Sequence, residues 1–278
     1  MKDKFKATWV SHSSIGDFLQ CPRLYYLKNV YKDPKTRHKV NIINPPLALG
    51  QIVHEIVEGL ADLPSGERFS KSLLPAFEEA WKKVSGKMGG FTSAEEEAEV
   101  KARGVAMLER VERIKDPLNN KVIRMNQDLP HYFISEDDNI ILCGKIDWLE
   151  YMEEDDSVNV IDFKTGRNEE KEDSLQLPIY SLLLKNTQKR KVTKASYWYL
   201  DRDDDLIEKP LPDLEESYKR VIEVARKIKD VRARRAFDCP QGEGGCFACN
   251  QFEKVINGEA EFVGVGGYNQ DLYILPKK

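Results

Sequence analysis

Hydrophobic residues recur along this chain at two periods, and the switches between them mark out predicted helices and strands. In "PLALGQIVHEIVEGLAD", Val53, Ile56, Val57 and Leu60 fall at i, i+3, i+4 and i+7, the buried stripe of an amphipathic helix. "SHSSIGDFLQCPRLYYLKNVY" opens on serine caps at Ser11 to Ser14 and places Ile15, Phe18, Leu19 and Leu24 at helical spacing, with Pro22 starting a second short turn. Residues 33–46 read as a basic loop. From about 68 to 115 the pattern is helical and heavily charged, broken by "SGKMGGFTS", and residues 62–115 are read as a helical insertion.

The period then shortens to two. "HYFIS", "NIILCGKIDWLEY" and "SVNVIDFKTG" are predicted strands joined by the acidic turns "EDDN" and "EEDD". "SLQLPIYSLLLKN" reads as a helix, "ASYWYLDRDDDLIEKPL" as a hairpin, and Leu214 to Arg235 as a long amphipathic helix. The chain closes with a cysteine-containing segment, 236–278, that shows no regular period.

Composition narrows the picture. A chain of 278 residues, 41% hydrophobic, can bury one sizeable core, so a single domain spanning 1–278 is expected, with an inserted or appended lobe. Neither a signal-peptide pattern nor an apolar run of membrane-spanning length is seen, which predicts a soluble, cytoplasmic protein without a membrane partner. A net charge of −4 argues against indiscriminate polyanion binding, although a basic groove can exist on an acidic protein. Three of the five cysteines, Cys239, Cys246 and Cys249, crowd together near the end; without a secretion signal this points to metal or cluster ligation before disulfides.

The acidic hairpin carries the first candidate chemistry. Side chains alternate across a strand, so Asp162 and Lys164 share a face with Val158 and Val160, opposite Asn159, Ile161 and Phe163. A four-residue turn at Glu153 to Asp156 would set Asp147 directly across from Asp162. Opposed carboxylates with Cβ atoms roughly 4.5–5.5 Å apart repel unless a cation lies between them. A hard divalent ion would accept both, with the Phe163 carbonyl as a further oxygen. Solvated aspartates paired with Lys164 are the alternative. On the helix, Gly50, His54 and Glu58 form a polar strip beside the apolar stripe, advancing about 40° per step. The strip can bring an imidazole to such a site or leave a satisfied histidine at a packing margin. Gln176 and Tyr180, four apart on the next helix, can hold a phosphate, orient Lys164, or simply cap and pack that helix.

"CPRLYYL", "GQIVHEIVE", "GKIDWLE", "IDFKTG" and "QLPIY", in this order, resemble the RecB-like branch of the PD-(D/E)xK nuclease superfamily, from about residue 9 to 183 and again at the cysteine loop. The resemblance implies an α/β fold: a central mixed β-sheet flanked by helices, a restriction-endonuclease-like core, with a helical lobe and a C-terminal cysteine loop packing near the N-terminal helices. It implies His54, Asp147 and Asp162 as metal ligands, Lys164 as the residue that positions or helps activate water, and Gln176 and Tyr180 as supports that contact nucleic acid. Glu58 would be supporting or structural. Mg²⁺ or Mn²⁺ would lower the pKa of the attacking water, with imidazole favouring Mn²⁺.

The same resemblance implies a 4Fe-4S cluster on Cys21, Cys239, Cys246 and Cys249, leaving Cys143 as a buried strand residue. "CPQGEGGCFAC" departs from the family spacing by placing the six-residue gap first, and a structural Zn²⁺ on the same thiolates is the alternative. Arg232, Arg234 and Arg235, with Lys35, Arg37 and Lys39, are candidate phosphate contacts. The function implied is a metal-dependent deoxyribonuclease, an exonuclease on DNA ends or single strands in repair, recombination or CRISPR-type processing. The alternatives are a DNA-binding or assembly subunit of a larger complex, and a metal-binding protein unrelated to nucleic acid. Since no G-x-x-x-x-G-K-[ST] motif occurs, unwinding would need a helicase or other partner protein.

Overall fold

In the computed structural model, which describes residues 3–276, the period-two segments form strands and the longer-period segments form helices. In chain order the first elements are β1 (Thr8–Val10), α1 (His12–Gln20), α2 (Pro22–Tyr25), β2 (Lys39–Ile42), α3 (Pro45–Gly59), α4 (Leu74–Trp81), α5 (Ala94–Arg113) and α6 (Asp116–Asn119). Then come β3 (His131–Ser135), β4 (Ile140–Cys143), β5 (Trp148–Met152), β6 (Ser157–Lys164), α7 (Gln176–Thr187), β7 (Lys191–Tyr199) and β8 (Ile207–Lys209). The chain continues through α8 (Leu214–Arg234), α9 (Phe247–Ile256), β9 (Glu261–Gly266) and β10 (Gln270–Ile274). These elements make a mixed α/β fold. Contacts divide it into two compact units, one comprising residues 45–132 and 143–218, the other the segments before 45 and after 218 together with 133–142.

The 45–132/143–218 unit is built on a four-stranded mixed sheet in the order β5-β6-β7-β8. β6 pairs antiparallel with β5 and parallel with β7, and β7 pairs antiparallel with β8. Being internal, β6 is buried along nearly its whole length. Its Ile161 and Phe163 share one hydrophobic cluster with Trp148, Trp198 and the α3 residues Leu49, Ile52, Val53 and Val57. Each such side chain taken from water contributes about 1.5–3 kcal/mol, so this face fixes α3 against the sheet. The segment 62–115 joins the same core: Phe77 and Trp81 of α4 and Met107, Leu108 and Val111 of α5 all belong to the cluster.

The other unit carries two three-stranded sheets, β1-β4-β3 and β2-β10-β9. Ser11 and Ser14 close α1 with a capping box, and Pro22 opens α2, as their positions predict. Leu24, Leu27, Val40, Ile42, Phe252 and Val255 pack around Cys21, Cys239 and Cys249. The cysteine segment therefore lies beside the N-terminal helices, where Arg23 Nε sits 2.6 Å from Glu253 Oε1.

Three local expectations need correction. The stretch read as a basic loop, 33–46, contains β2, because β10 supplies it with a parallel partner from the far end of the chain. The closing segment is regular: α9, β9 and β10 follow the cysteines, and β9 and β10 form an antiparallel pair. "NIILCGKIDWLEY" is two strands, since residues 144–147 leave the ladder and β4 and β5 join different sheets. Each correction turns on a partner remote in sequence, which local periodicity does not register. Among the described residues no helix is long and apolar enough to cross a membrane.

Candidate metal and nuclease centre

The β5–β6 hairpin fixes the geometry. Its turn is the four residues 153–156, and the ladder pairs Trp148 with Ile161, Leu149 with Val160 and Met152 with Ser157. Extended by one residue, this register brings Asp147 opposite Asp162, the pairing that turn length and alternation predict. Asp147 itself stands just before β5, and its Oδ2 accepts the Phe163 amide hydrogen at 3.1 Å. The Phe163 ring is buried in the core, its centroid 6.2 Å from that of His54.

From α3, His54 Nδ1 lies 2.9 Å from Glu58 Oε1 and 3.6 Å from Asp147 Oδ2. His54, Glu58 and Asp147 each present a ligand atom, all within 4.8 Å of one another. Glu58 also pairs with Lys145. Gly50, one turn before His54, lets this helix come close to the end of β6: a Cβ there would stand 3.1 Å from Thr165 Oγ1.

Asp162 and Lys164 project from the opposite face of β6 to Phe163, towards α7. Asp162 Oδ1 accepts hydrogen bonds from Gln176 Nε2 at 2.6 Å and Tyr180 Oη at 3.1 Å. Its Oδ2 is buried without a well-aligned hydrogen-bond donor, and its near neighbour is the Lys164 ammonium at 2.9 Å. Lys164 is held in turn by Glu170 at 3.0 Å and by the Gln176 carbonyl oxygen, with the Tyr197 ring centroid 4.8 Å from Nζ. Gln176 thus bridges Asp162 and Lys164, which is the orienting role among those its spacing left open.

Electrostatics reflects the crowding. Burial, then the charge of Asp162, pushes the Asp147 carboxyl up to about 7, against the pull of His54. Burial would lower His54, but Glu58 and Asp147 outweigh it and raise the imidazole above its ordinary value. Burial would likewise lower Lys164, yet Asp162 and Glu170 hold it above the usual ammonium range. Buried carboxylates that repel one another, one of them with an oxygen lacking an aligned donor, fit a divalent cation.

These shifts give the metal-free protein a definite pH response. Asp147 keeps its proton to about 7 when folded but releases it near 3.9 when unfolded, so stability is lost as pH rises through that interval. His54 contributes stability that is present below about 6.5 and lost as pH climbs through its raised folded value. Thermal scans in EDTA are expected to show Tm falling between about pH 5 and pH 8, with added Mn²⁺ raising it most at the upper end. A Tm that rises over this range contradicts the assignment.

Lys145 and Glu170 complete the surroundings beyond the residues singled out in sequence, beside Glu58 and Tyr197. Lys145 lies in the 144–147 stretch that leaves the ladder, where strand alternation gives no signal. Glu170 sits in the irregular segment between β6 and α7, where no period operates.

The four cysteines converge as well. Their Sγ atoms all lie within 4.8 Å of one another, and Cys246 Sγ is 3.6 Å from Cys249 Sγ. Cys143 ends β4 as a buried residue whose thiol burial pushes up to about 11. In the unit that holds Cys21, Cys239, Cys246 and Cys249, Arg232 and Arg235 line a cleft of about 930 Å³ with Lys32, Arg37, Tyr26 and Phe237. Arg234 is instead exposed and paired with Asp230 one turn back at 2.8 Å.

A search of curated proteins finds no matching relative. Among solved structures, a proposed exonuclease from Eubacterium rectale is similar at a TM-score of 0.48 and 12% identity, over 87% of each chain. The sequence profile of the PD-(D/E)XK nuclease superfamily matches residues 9–251, a span that contains every residue of the centre built above, and the chain belongs to that superfamily of nucleases.

Proposed function

We propose that this nuclease is a divalent-metal-dependent deoxyribonuclease of the RecB-like branch, an exonuclease acting on DNA ends or single strands. The observation that carries the reading is the convergence of His54, Glu58 and Asp147 within 4.8 Å of one another, with Asp162 paired to Lys164 on the adjoining strand and one buried Asp162 oxygen lacking an aligned donor. His54, Asp147, Asp162 and the Phe163 carbonyl would hold Mg²⁺ or Mn²⁺, with Glu58 within reach. When bound, the ion lowers the pKa of a water and draws charge from the phosphoryl oxygens.

The chain's own residues do the rest. Lys164 is fixed by Glu170 and Gln176, so its ammonium meets charge developing on a phosphoryl oxygen without first reorganising. Gln176 and Tyr180 hold Asp162 by one oxygen and leave the other turned towards Lys164. Arg232 and Arg235, with Lys32 and Arg37, supply cations for a phosphate backbone, and Tyr26 and Phe237 supply rings on which bases stack.

End-labelled single- and double-stranded DNA, incubated with metal-stripped protein, tests the proposal. Cleavage is expected only with Mn²⁺ or Mg²⁺, progressing from ends and sparing closed circles. Charge reversal at both Arg232 and Arg235 is expected to weaken single-strand binding about tenfold and flatten its salt dependence by a slope of about 1.4. Salt-sensitive DNA binding without cleavage would instead support a DNA-binding or assembly subunit. Cleavage of RNA but not DNA would overturn the substrate assignment, and closed circles cut as fast as linear DNA would overturn the end requirement.

A further inference from the structure

We infer that Cys21, Cys239, Cys246 and Cys249 hold a single tetrahedral Zn²⁺ and not an iron–sulfur cubane. The two occupants differ in size. Thiolates about 2.3 Å from one zinc ion stand roughly 3.8 Å apart at the corners of a tetrahedron. In a cubane each thiolate binds a different iron and is carried outward, to a separation of roughly 6–6.5 Å. The four Sγ atoms here are all within 4.8 Å of one another, and the Cys246 and Cys249 pair is at 3.6 Å.

The surroundings resist expansion. Cys21 and Cys249 are fully buried, and the cluster around them is formed by Leu24, Leu27, Phe252 and Val255. The Cys246 amide donates to Cys249 Sγ at 3.1 Å, which ties the two cysteines across the turn that opens α9. The chain also closes over that sulfur at Gly245, where φ is +71° and a Cβ would stand 3.0 Å from Cys249 Sγ. Opening the sulfurs to cubane spacing would displace this turn and the packed residues together. The six-residue gap that precedes "CFAC", a departure from the cluster-bearing pattern, agrees with a different occupant.

Zinc would replace the thiol protons of four cysteines drawn from three separate stretches of chain. It would close the small core of its unit in the way structural sites do. The role is structural, because all four positions are taken by protein and none is left for water.

Metal analysis of the full chain, purified anaerobically, tests the inference. One zinc per chain is expected, with little iron and no broad absorption near 400 nm. Exchange with Co²⁺ in the folded protein is expected to give the intense red-region bands of a tetrahedral thiolate site. Cys246→Ser with Cys249→Ser is expected to lose the zinc, whereas Asp162→Asn keeps it, which separates this site from that of His54. Should the double cysteine variant not fold, the Co²⁺ spectrum of the wild-type chain still identifies the ligands. About four irons with matching sulfide per chain would overturn the inference, as would protein holding no metal or Co²⁺ bands without thiolate character. None of these outcomes depends on whether the chain cleaves DNA.

Discussion

Asp162→Asn is expected to reduce nuclease turnover by about 10³-fold or more while leaving the protein folded. The amide keeps the shape of the carboxylate, and its oxygen still accepts from Gln176 and Tyr180, so the contacts between β6 and α7 survive. What is lost is the charge on Oδ2, the oxygen that is buried without an aligned donor. In its place an NH₂ group faces the Lys164 ammonium, 2.9 Å away in the native protein, and both are donors. Lys164 retains Glu170 as a partner, which limits the cost to stability. A turnover assay paired with a thermal scan therefore separates the effects. Unchanged cleavage would remove Asp162 from the mechanism, and a large fall in Tm would show that the loss is structural.

The largest expected effect on stability lies elsewhere. Arg68→Met is predicted to cost about 3–5 kcal/mol, read from the shift in urea unfolding. Arg68 is 4% exposed and among the described residues makes no carboxylate ion pair; its hydrogen bonds go to backbone carbonyls. Nε donates to the carbonyl oxygens of Leu60 at 3.0 Å and Leu63 at 3.2 Å, and Nη1 to those of Leu118 and Asn120 at 2.6 Å each. The guanidinium also lies 5.0 Å from the centroid of Trp148. One side chain thus ties the segment after α3 to that following α5. Methionine replaces the apolar stem but leaves the carbonyls without this donor. A cost below about 1 kcal/mol would mean that water takes over and that the contact contributes little.

Much of this arrangement is legible in the sequence because its determinants are local. Turn length and alternation specify the hairpin register, and with it the approach of Asp147 to Asp162. The α3 stripe points Val53 and Val57 inward and leaves His54 and Glu58 at its margin. Spacing leaves the role of Gln176 open among several, and only the fold shows its side-chain amide bonded to both Asp162 and Lys164. What stays hidden depends on partners far away in sequence. β2 exists because β10 lies alongside it, and the parallel pairing of β6 with β7 has no local signature. Glu170 reaches Lys164 from an irregular loop, and Arg68 reads as one more charge in a charged stretch. For the cysteines, spacing leaves the occupant open, and only the fold brings the four sulfurs within 4.8 Å of one another, the observation from which zinc is inferred.

The centre in the 45–132/143–218 unit is expected to bind a divalent ion through these side chains. Mn²⁺ titrated into metal-stripped protein, with free ion followed by its electron paramagnetic resonance signal, measures this. Wild-type protein is predicted to bind one or two ions, and Asp147→Asn and Asp162→Asn to weaken that binding at least tenfold, the range seen when a ligand or its support is removed. Equal Mn²⁺ binding by all three proteins, or none by the wild type, would contradict it.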